Sequence, residues 1–378
     1  MESQNTDTQI LKQYLESWKD LDDEQIQFER LAGLSNVIWK VTAQPDDIVP
    51  KSVVYRKFAT DSEFVDRSTE NYIFNELSKA NLGPHCYGYS ETFRIEEYYD
   101  CNEVADEDIR NVDIRRKLAR NLAYLHTVQL SELDQKPYLL KNLEEEYYFK
   151  EIEKKLVNTD FEESELKIID EIKKSLFSKD EIEFLIDIMP KASESVTFSH
   201  NDLHAGNILH LKKNNEYLFI DLEYSSYNYR GFDIANLFVE TTLDYSHSEH
   251  PFYKVKEELY PPASELEEFV KYYAFFKVIA PEMSEEDAAT ILKDSDSMDQ
   301  HIKDSNKDLE FIQSVDQIME EASIGKLLSH YHWTMWSIIF SKKKETKFDY
   351  ISYANDRFKL YEKTKAEFLA KKVKMDCQ

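Results

Sequence analysis

Along the first hundred residues, the apolar positions form short runs with strand periodicity around two segments of helical spacing. Helices are predicted at 7–18 and 64–80, and strands at 25–31, 36–42, 52–59, 86–92 and 93–99. The β-β-β-α-β-β order from residue 25 onward predicts a small antiparallel lobe of about 100 residues. Gly83 is expected to cap the second helix, because Pro84 follows it and cannot continue a helix.

Beyond this lobe the polar stretch 100–108 is a predicted hinge, and the pattern then becomes mainly helical. The charged segment 142–191 is predicted to be helical, with its charges on a solvated face. Short strands are predicted at 195–224, and helices follow to the C-terminus. We therefore expect two lobes, residues 1–100 and residues 101–378.

Composition and charge restrict the class of function. The 378 residues include 74 acidic and 47 basic side chains, for a formal net charge of −27. Such a charge repels phosphate backbones and attracts small cations, which argues against nonspecific nucleic-acid binding. The three cysteines are widely spaced, and neither a signal peptide nor an apolar run of membrane-spanning length occurs. A cytoplasmic protein without integral membrane contact is expected.

The predicted strands at 195–224 flank loops that are rich in carboxylate and amide side chains. Asp202 and Asn207 share one loop, and Asp221 ends the next strand, with Glu223 two residues later. Phosphoryl transfer needs a carboxylate that orients and deprotonates the attacking hydroxyl. It also needs side-chain oxygens that hold Mg²⁺ against a triphosphate. The spacing therefore predicts a phosphoryl-transfer site.

Two motifs carry a resemblance to known families. The pattern His200-x-Asp202-x-x-x-x-Asn207, followed by Asp221, resembles the catalytic core of protein kinases and aminoglycoside-type kinases. Residues 220–234, with the sequence Ile-Asp-Leu-Glu-Tyr-Ser-Ser-Tyr-Asn-Tyr-Arg-Gly-Phe-Asp-Ile, resemble the choline/ethanolamine kinase family in particular. The likeness runs from about residue 25 to residue 361, nearly the whole chain.

This resemblance implies a fold, a reaction and partners. The fold would be α+β, bilobal and protein-kinase-like: residues 1–100 would form the ATP-binding antiparallel β lobe, and residues 101–378 a mainly helical lobe for catalysis and acceptor binding. The reaction would be phosphorylation of choline by Mg²⁺·ATP, which is the first step of phosphatidylcholine synthesis. ATP and choline would be the partners, and a homodimer is compatible with the family.

The resemblance also implies the roles of the acidic motif. Asp202 would be the catalytic base, and Asn207 and Asp221 would be Mg²⁺ ligands. Glu223 would lie close to the metal and act directly or through water. His200 and the later pair Arg230 and Asp233 would be architectural, with Asp233 bracing the catalytic loop.

Residues of the N-terminal lobe would bind ATP. On the resemblance, the nucleotide site comprises Ser35, Asn36, Arg56, Glu70, Glu97, Tyr99 and Asp221. Arg56 matches the cation that holds the phosphates, and Glu70 matches its helix partner. Lys57 is a rival to Arg56, because neighbours in a strand face opposite sides and the alternation does not decide between them. Glu97 and Tyr99 fall where backbone groups would pair with adenine.

The helical segment 324–341 carries a stripe of core residues and, opposite it, a second face with Trp333, Trp336 and Phe340. The pattern alone leaves open whether this face packs in more core or lines a cavity. The resemblance implies a choline pocket, with cation–π attraction as the binding force. The implied pocket residues are Asp202, Glu240, Tyr245, Trp333, Trp336, Phe348 and Tyr353.

Three other functions remain open at this point. The chain resembles choline kinases more closely at Ser225-Ser226 and Arg230-Gly231, but an ethanolamine kinase or a dual-acceptor enzyme differs only in acceptor. An aminoglycoside- or sugar-type kinase would not need the paired tryptophans. A pseudokinase scaffold is disfavoured by the intact set Asp202, Asn207 and Asp221.

Overall fold

The computed structural model describes residues 2–31, 36–58, 66–281, 283–342 and 346–376. Within these ranges the strands are β1 (Ile26–Arg30), β2 (Val37–Ala43), β3 (Ser52–Lys57), β4 (Cys86–Tyr89), β5 (Phe93–Glu97), β6 (Cys101–Glu103), β7 (Val196–Ser199), β8 (Ile208–Leu211), β9 (Glu216–Phe219), β10 (Ser226–Tyr229), β11 (Leu243–Asp244) and β12 (Lys254–Val255). The α-helices are α1 (Glu2–Tyr14), α2 (Arg67–Lys79), α3 (Val112–Leu125), α4 (Tyr138–Glu144), α5 (Tyr147–Asn158), α6 (Glu163–Leu176), α7 (Lys179–Ile188), α8 (Arg230–Glu240), α9 (Ala263–Ala274), α10 (Glu285–Lys293), α11 (Ser295–Ser305), α12 (Asp308–Phe340) and α13 (Tyr350–Asp376). No helix in these ranges is long and apolar enough to cross a membrane.

The chain divides into two compact units. The first contains Met1–Glu103 and Asn207–Ser225, and the second contains Val104–Gly206 and Ser226–Gln378. The assignment of residues 1–100 to ATP binding and of residues 101–378 to catalysis and acceptor binding remains a prediction.

The first unit contains the predicted antiparallel sheet. Its strand order is β1-β2-β3-β5-β4, with α2 between β3 and β4 in the chain, so the β-β-β-α-β-β order is confirmed. Leu11 and Trp18 pack with the apolar side chains of one face of the sheet, including Val53 and Tyr55 of β3. Because side chains alternate along a strand, Arg56 points to the face opposite Tyr55.

The end of α2 differs from the prediction that Gly83 caps it. Asn81 takes the left-handed conformation, with φ at 56°, and the N–H of Leu82 donates to the carbonyl of Leu77 at 2.9 Å. Gly83 does not have a positive φ. Asparagine tolerates the left-handed region better than most residues, so the chain turns two residues before the glycine.

The predicted hinge at 100–108 contains a strand. β6 pairs with β8, which pairs with β9, in a three-stranded antiparallel sheet of the first unit. Asn102 and Glu103 are exposed in β6, and this is why the segment looks like a loop in the sequence. A short polar edge strand and a polar linker have the same composition.

The second unit is built around the long helix α12. The predicted core stripe is confirmed, because all of its members are buried in one apolar cluster: Leu327, Leu328, Tyr331, Met335, Ile338 and Ile339. α8 crosses α12 where two glycines meet. A Cβ atom on Gly325 would lie 1.9 Å from the carbonyl oxygen of Gly231, and one on Gly231 would lie 2.3 Å from that of Glu321. The close approach brings Arg230 of α8 to Glu321, with Nε 2.6 Å from the carboxylate.

Candidate active site

The loop that carries Asp202 is held by a buried aspartate of the same unit. Asp233, which is fully buried, accepts hydrogen bonds from the backbone N–H groups of His200 at 2.6 Å and Asn201 at 2.7 Å. Its carboxylate also lies 3.1 Å from Nε2 of His126. These contacts agree with the architectural role expected for Asp233, and they fix the backbone immediately before Asp202.

The residue preceding Asp202 has a left-handed backbone. Asn201 has a φ of 67°, a conformation that asparagine adopts more readily than most non-glycine residues. Its side chain donates to the hydroxyl of Ser226 at 2.8 Å and accepts from Nδ2 of Asn228 at 2.8 Å. These contacts fix the conformation of Asn201 and therefore the direction in which the chain enters Asp202.

Asp202 itself is partly accessible. Its side chain is 19% exposed, and Nε2 of His204 lies 3.9 Å from its carboxylate. His200 is fully buried, and its Nδ1 accepts from the N–H of Asp202 at 3.3 Å. This placement agrees with the structural role expected for His200, and the base role of Asp202 remains a prediction.

The predicted metal ligands lie at one end of the β8–β9 hairpin, in the first unit. The N–H of Ile220 donates to the carbonyl of Asn207 at 3.0 Å, so the residue that follows, Asp221, lies beside Asn207. Asp221 is exposed and has a φ of 63°. Asn201 and Asp221, both of residue types that tolerate the left-handed region, adopt it at the predicted catalytic motifs.

Glu223 lies in a concentration of negative charge. Burial and the neighbouring carboxylates of Asp221 and Glu70 raise the pKa of Glu223 to about 7. Arg67 opposes this effect, with Nη1 4.0 Å from Oε2 of Glu223.

These donors suit Mg²⁺ in chemical type, because an amide and two carboxylates are hard oxygen ligands. The described residues contain no group of three or more His, Cys, Asp or Glu side chains placed to hold a metal ion by themselves. Magnesium commonly binds through one or two carboxylates together with substrate phosphates and water. Asn207, Asp221 and Glu223 therefore fit a metal that arrives with a nucleotide.

The two rival cations of β3 point to different surroundings. Lys57 places Nζ 2.9 and 3.1 Å from the carboxylate oxygens of Asp7. Arg56 donates from Nε to Glu96 at 2.7 Å. Although burial opposes the charged form, Glu96 and the more distant carboxylates, Asp221 among them, raise the pKa of Arg56. Lys57 and Arg56 therefore lie on opposite faces of β3, and Arg56 is the one whose charge interacts with Asp221.

The prediction that Arg56 pairs with Glu70 is wrong. Glu70 pairs instead with Nη1 of Arg94 at 3.0 Å and Nη1 of Arg67 at 2.5 Å. Arg56 lies directly opposite Arg94, so Arg56 and Glu96 lie on the same face of paired strands, two residues off direct register, which brings them closer than the helix residue. Although burial opposes ionisation, Arg56 and Arg94 lower the pKa of Glu96.

The other predicted nucleotide residues are less informative. Ser35 lies outside the described residues, and the buried Asn36 accepts a long hydrogen bond of 3.4 Å from Nη2 of Arg67. The hydroxyl of Tyr99 donates to Glu97 at 2.8 Å. The N–H of Glu97 donates to the carbonyl of His85, so adenine pairing would use other backbone groups of this segment. All of these contacts with ATP remain predictions.

The second face of α12 forms an aromatic cluster in the second unit. Trp333 and Trp336 have ring centroids 5.2 Å apart, and Trp336 stacks on Phe340 at 4.3 Å. Phe348 and Tyr353 belong to the same cluster, 5.3 Å from each other. Trp333 and Tyr353 are buried in this cluster, and Phe340 also packs against the apolar core on the opposite side of the helix.

Sequence analysis missed one aromatic member, Tyr253. It is buried, lies 5.2 Å from Tyr353 and 5.3 Å from Phe348, and donates from its hydroxyl to Asp356 at 2.9 Å. Tyr253 precedes the two-residue strand β12, where no periodic pattern marks a buried position. The abundance of tyrosine in the chain is the sole sequence signal that points to it.

Glu240 meets the aromatic cluster through hydrogen bonds. Tyr245 donates to one carboxylate oxygen at 2.7 Å, and Nη1 of the fully buried Arg357 donates to the other at 2.9 Å. The hydroxyls of Tyr245 and Tyr353 lie 2.8 Å apart. Tyr245 is 45% exposed although its hydroxyl is engaged, so part of its ring is open to solvent. Sequence analysis did not identify Arg357, which balances the charge of Glu240.

The predicted site residues therefore fall into two groups. The described nucleotide and metal residues lie in the first unit: Asn36, Arg56, Glu70, Glu97, Tyr99, Asn207, Asp221 and Glu223. The base and the acceptor residues lie in the second unit: Asp202, Glu240, Tyr245, Trp333, Trp336, Phe348 and Tyr353. Asn207, Asp221 and Glu223 belong to the first unit although their positions fall within the range 101–378.

Comparison with known proteins identifies the family of the chain. The family described as choline/ethanolamine kinase matches residues 28–362. A human choline/ethanolamine kinase is 28% identical over 93% of this chain and 83% of its own length. A probable ethanolamine kinase of Arabidopsis thaliana is 27% identical over 94% of this chain and 84% of its own length.

The fold also matches that of a solved enzyme. The structure of a choline kinase from Cryptosporidium parvum aligns with a TM-score of 0.73 at 24% identity, covering 98% of this chain and 97% of its own. The predicted kinase-like α+β fold is therefore confirmed. Because the family match extends over most of the sequence, this chain is a kinase of the choline/ethanolamine kinase family.

Proposed function

We propose that this kinase transfers the terminal phosphoryl group of ATP to the hydroxyl of choline, with ethanolamine as the poorer acceptor. The aromatic cluster around Trp333 and Trp336 is the observation that carries this proposal. A quaternary ammonium cannot donate hydrogen bonds, so it is held best by ring faces and cation–π attraction. The part of Tyr245 that is open to solvent supplies one such face.

The hydrogen bonds that Glu240 accepts support choline rather than ethanolamine as the acceptor. Both carboxylate oxygens accept hydrogen bonds, from Tyr245 and Arg357, and the guanidinium offsets the negative charge. A primary ammonium needs strong acceptors to replace its hydration, and Tyr245 and Arg357 already occupy two of the roughly four acceptor sites of Glu240. Choline sheds water more readily and depends less on such acceptors.

In this proposal each polar residue of the site has a separate role in the reaction. Asp202 orients the acceptor hydroxyl and takes its proton. Asn207, Asp221 and Glu223 hold Mg²⁺, which neutralises charge on the phosphates when bound. Arg56, the charged residue of β3 that faces Asp221, would hold the nucleotide phosphates.

The remaining nucleotide contacts belong to the same proposal. Ser35 and Asn36 would contact phosphate, Glu70 would support the cationic network, and backbone groups near Glu97 and Tyr99 would pair with adenine. Phosphocholine production would place the enzyme at the first step of phosphatidylcholine synthesis. A cytoplasmic location and a homodimer remain predictions.

The alternative within the family is an ethanolamine kinase or a dual enzyme. One relative supports this alternative: the Arabidopsis protein named a probable ethanolamine kinase has nearly the same sequence identity to this chain as the human protein has. The two activities share every residue that handles ATP, so only the acceptor pocket separates them.

Steady-state phosphorylation of choline and ethanolamine, measured side by side with the same preparation, tests the proposal. We expect a higher kcat/KM for choline and loss of both activities in Asp202→Asn. A higher kcat/KM for ethanolamine would refute the acceptor assignment. Transfer to neither acceptor would refute the proposed function and favour a sugar-type kinase or a scaffold.

A further inference from the structure

A buried asparagine joins the aromatic cluster to the catalytic loop. Asn236 of α8 is fully buried, and its Oδ1 accepts from Nε1 of Trp333 at 2.9 Å and from the hydroxyl of Ser329 at 2.8 Å. Its Nδ2 donates to the carbonyl of Leu203 at 3.2 Å. Leu203 directly follows Asp202, so a single amide group contacts the indole and the backbone beside the predicted base.

The same network continues to the carboxylate of the pocket. Nη2 of Arg357 donates to the hydroxyl of Ser329 at 2.9 Å, and its Nη1 donates to Glu240 at 2.9 Å. Glu240, Ser329, Asn236 and Arg357 are all buried, which makes each hydrogen bond costly to break. The aromatic cluster and the catalytic loop are thus joined by one continuous chain of hydrogen bonds within the second unit.

We propose that Asn236 is a positioning residue that sets the distance between the indole of Trp333 and the carboxylate of Asp202. This inference rests on the proposed function, in which Trp333 holds the cationic head of the acceptor and Asp202 takes its proton. The acceptor is short, so the position of its head determines where its hydroxyl lies. Misplacement by about 1 Å costs on the order of 100-fold in rate.

The amide of Asn236 can both accept and donate the hydrogen bonds that this position requires. Trp333 and Ser329 need an acceptor, whereas the Leu203 carbonyl needs a donor, and an amide supplies both from one side chain. An aspartate of the same shape would keep the two accepted bonds. It would replace the donor to Leu203 by a carboxylate oxygen that repels the carbonyl, so it breaks the link to the loop alone.

A misplaced acceptor has a measurable consequence. When the hydroxyl is out of reach, water attacks the terminal phosphorus of ATP in its place. The bond between that phosphorus and the bridging oxygen of ADP breaks, giving ADP, phosphate and a proton, with no other reactant. The number of ATP molecules hydrolysed per phosphocholine formed therefore reports acceptor position, and a fall in stability alone does not change it.

The experiment compares Asn236→Asp and Asn236→Leu with Asn142→Asp and Asn142→Leu. Asn142 is a buried asparagine of α4 in the same unit, where Nδ2 donates to the hydroxyl of Tyr148 at 3.0 Å. For Asn236→Asp we expect kcat to fall about 10- to 100-fold while KM for choline changes less than about threefold. ATP hydrolysis per phosphocholine should rise at least about tenfold.

Asn236→Leu removes all three bonds, so we expect KM for choline to rise as well. The Asn142 variants should lower the melting temperature and leave the hydrolysis ratio at the wild-type value. The positioning role is overturned if any folded Asn236 variant hydrolyses as few ATP molecules per phosphocholine as the wild type. It is also overturned if the Asn142 variants show an equal rise in that hydrolysis ratio. If neither Asn236 variant folds, Trp333→Phe carries the same test, because it keeps a ring and removes the N–H that donates to Asn236. A wild-type hydrolysis ratio there overturns the positioning role too. Failure of the wild-type enzyme to phosphorylate choline or ethanolamine is a separate result, which refutes the proposed function.

Discussion

Replacing Trp336 by alanine tests whether the aromatic cluster binds the acceptor or only packs. The ring is half-buried, with one face stacked on Phe340 at 4.3 Å and Trp333 5.2 Å away. A cation–π contact contributes about 0.5–2 kcal/mol. Since 1.4 kcal/mol corresponds to about tenfold in affinity, KM for choline should rise roughly 2- to 30-fold.

The same substitution also costs stability through lost packing. Truncation of a fully buried aromatic costs about 3–5 kcal/mol, and a half-buried one less, so a lower melting temperature is expected on either hypothesis. Kinetics with two acceptors separate the hypotheses. Ethanolamine depends less on ring faces, so its KM should rise less and the preference for choline should shrink.

Two further variants make the comparison specific. Trp336→Phe keeps a ring face and should recover most of the affinity for choline. Phe177→Ala removes a half-buried aromatic that packs at the edge of the apolar core, 5.4 Å from Phe149, and should lower stability without changing acceptor preference. Equal loss for both acceptors in Trp336→Ala, matched by Phe177→Ala, would refute the binding role.

Three more predictions concern charge and catalysis. Asp202→Asn should lower kcat by about 10²- to 10⁴-fold, the usual range for loss of a general base, while calorimetry still detects ATP binding; near-native turnover would contradict the base role. Asp221→Ala should leave little activity at any Mg²⁺ concentration with an intact circular dichroism spectrum, and full recovery at ordinary Mg²⁺ would make Glu223 the principal ligand instead. The pKa of Glu96 is lowered from 4.5 in the folded chain, so the folded state binds fewer protons than the unfolded state at acid pH. The stabilising effect of Glu96 should therefore be complete above about pH 4.5 and be lost as the pH falls through the lowered pKa. Chemical denaturation across this range should show a shallower decline in the free energy of unfolding for Glu96→Gln, and identical slopes would contradict the assignment.

The sequence by itself determined the class of fold and the chemistry. Helical and strand periodicity predict the β-β-β-α-β-β unit and the core stripe of α12, because local spacing decides which side chains share a face. The motif around Asp202, Asn207 and Asp221 predicts phosphoryl transfer because its spacing can be read within one short segment. Its members lie on consecutive strand ends, so few residues separate them in the chain.

Only the tertiary structure decided which groups pair across the chain. Arg56 pairs with Glu96 rather than Glu70, and Arg357 lies against Glu240 although more than a hundred residues separate them. Asn236 contacts Leu203 and Trp333 through one amide. Such partners are set by strand register and helix packing, which depend on the summed burial of many distant side chains. No periodicity within a short segment contains that information, so the residues that bind can be predicted more readily than the residues that position them.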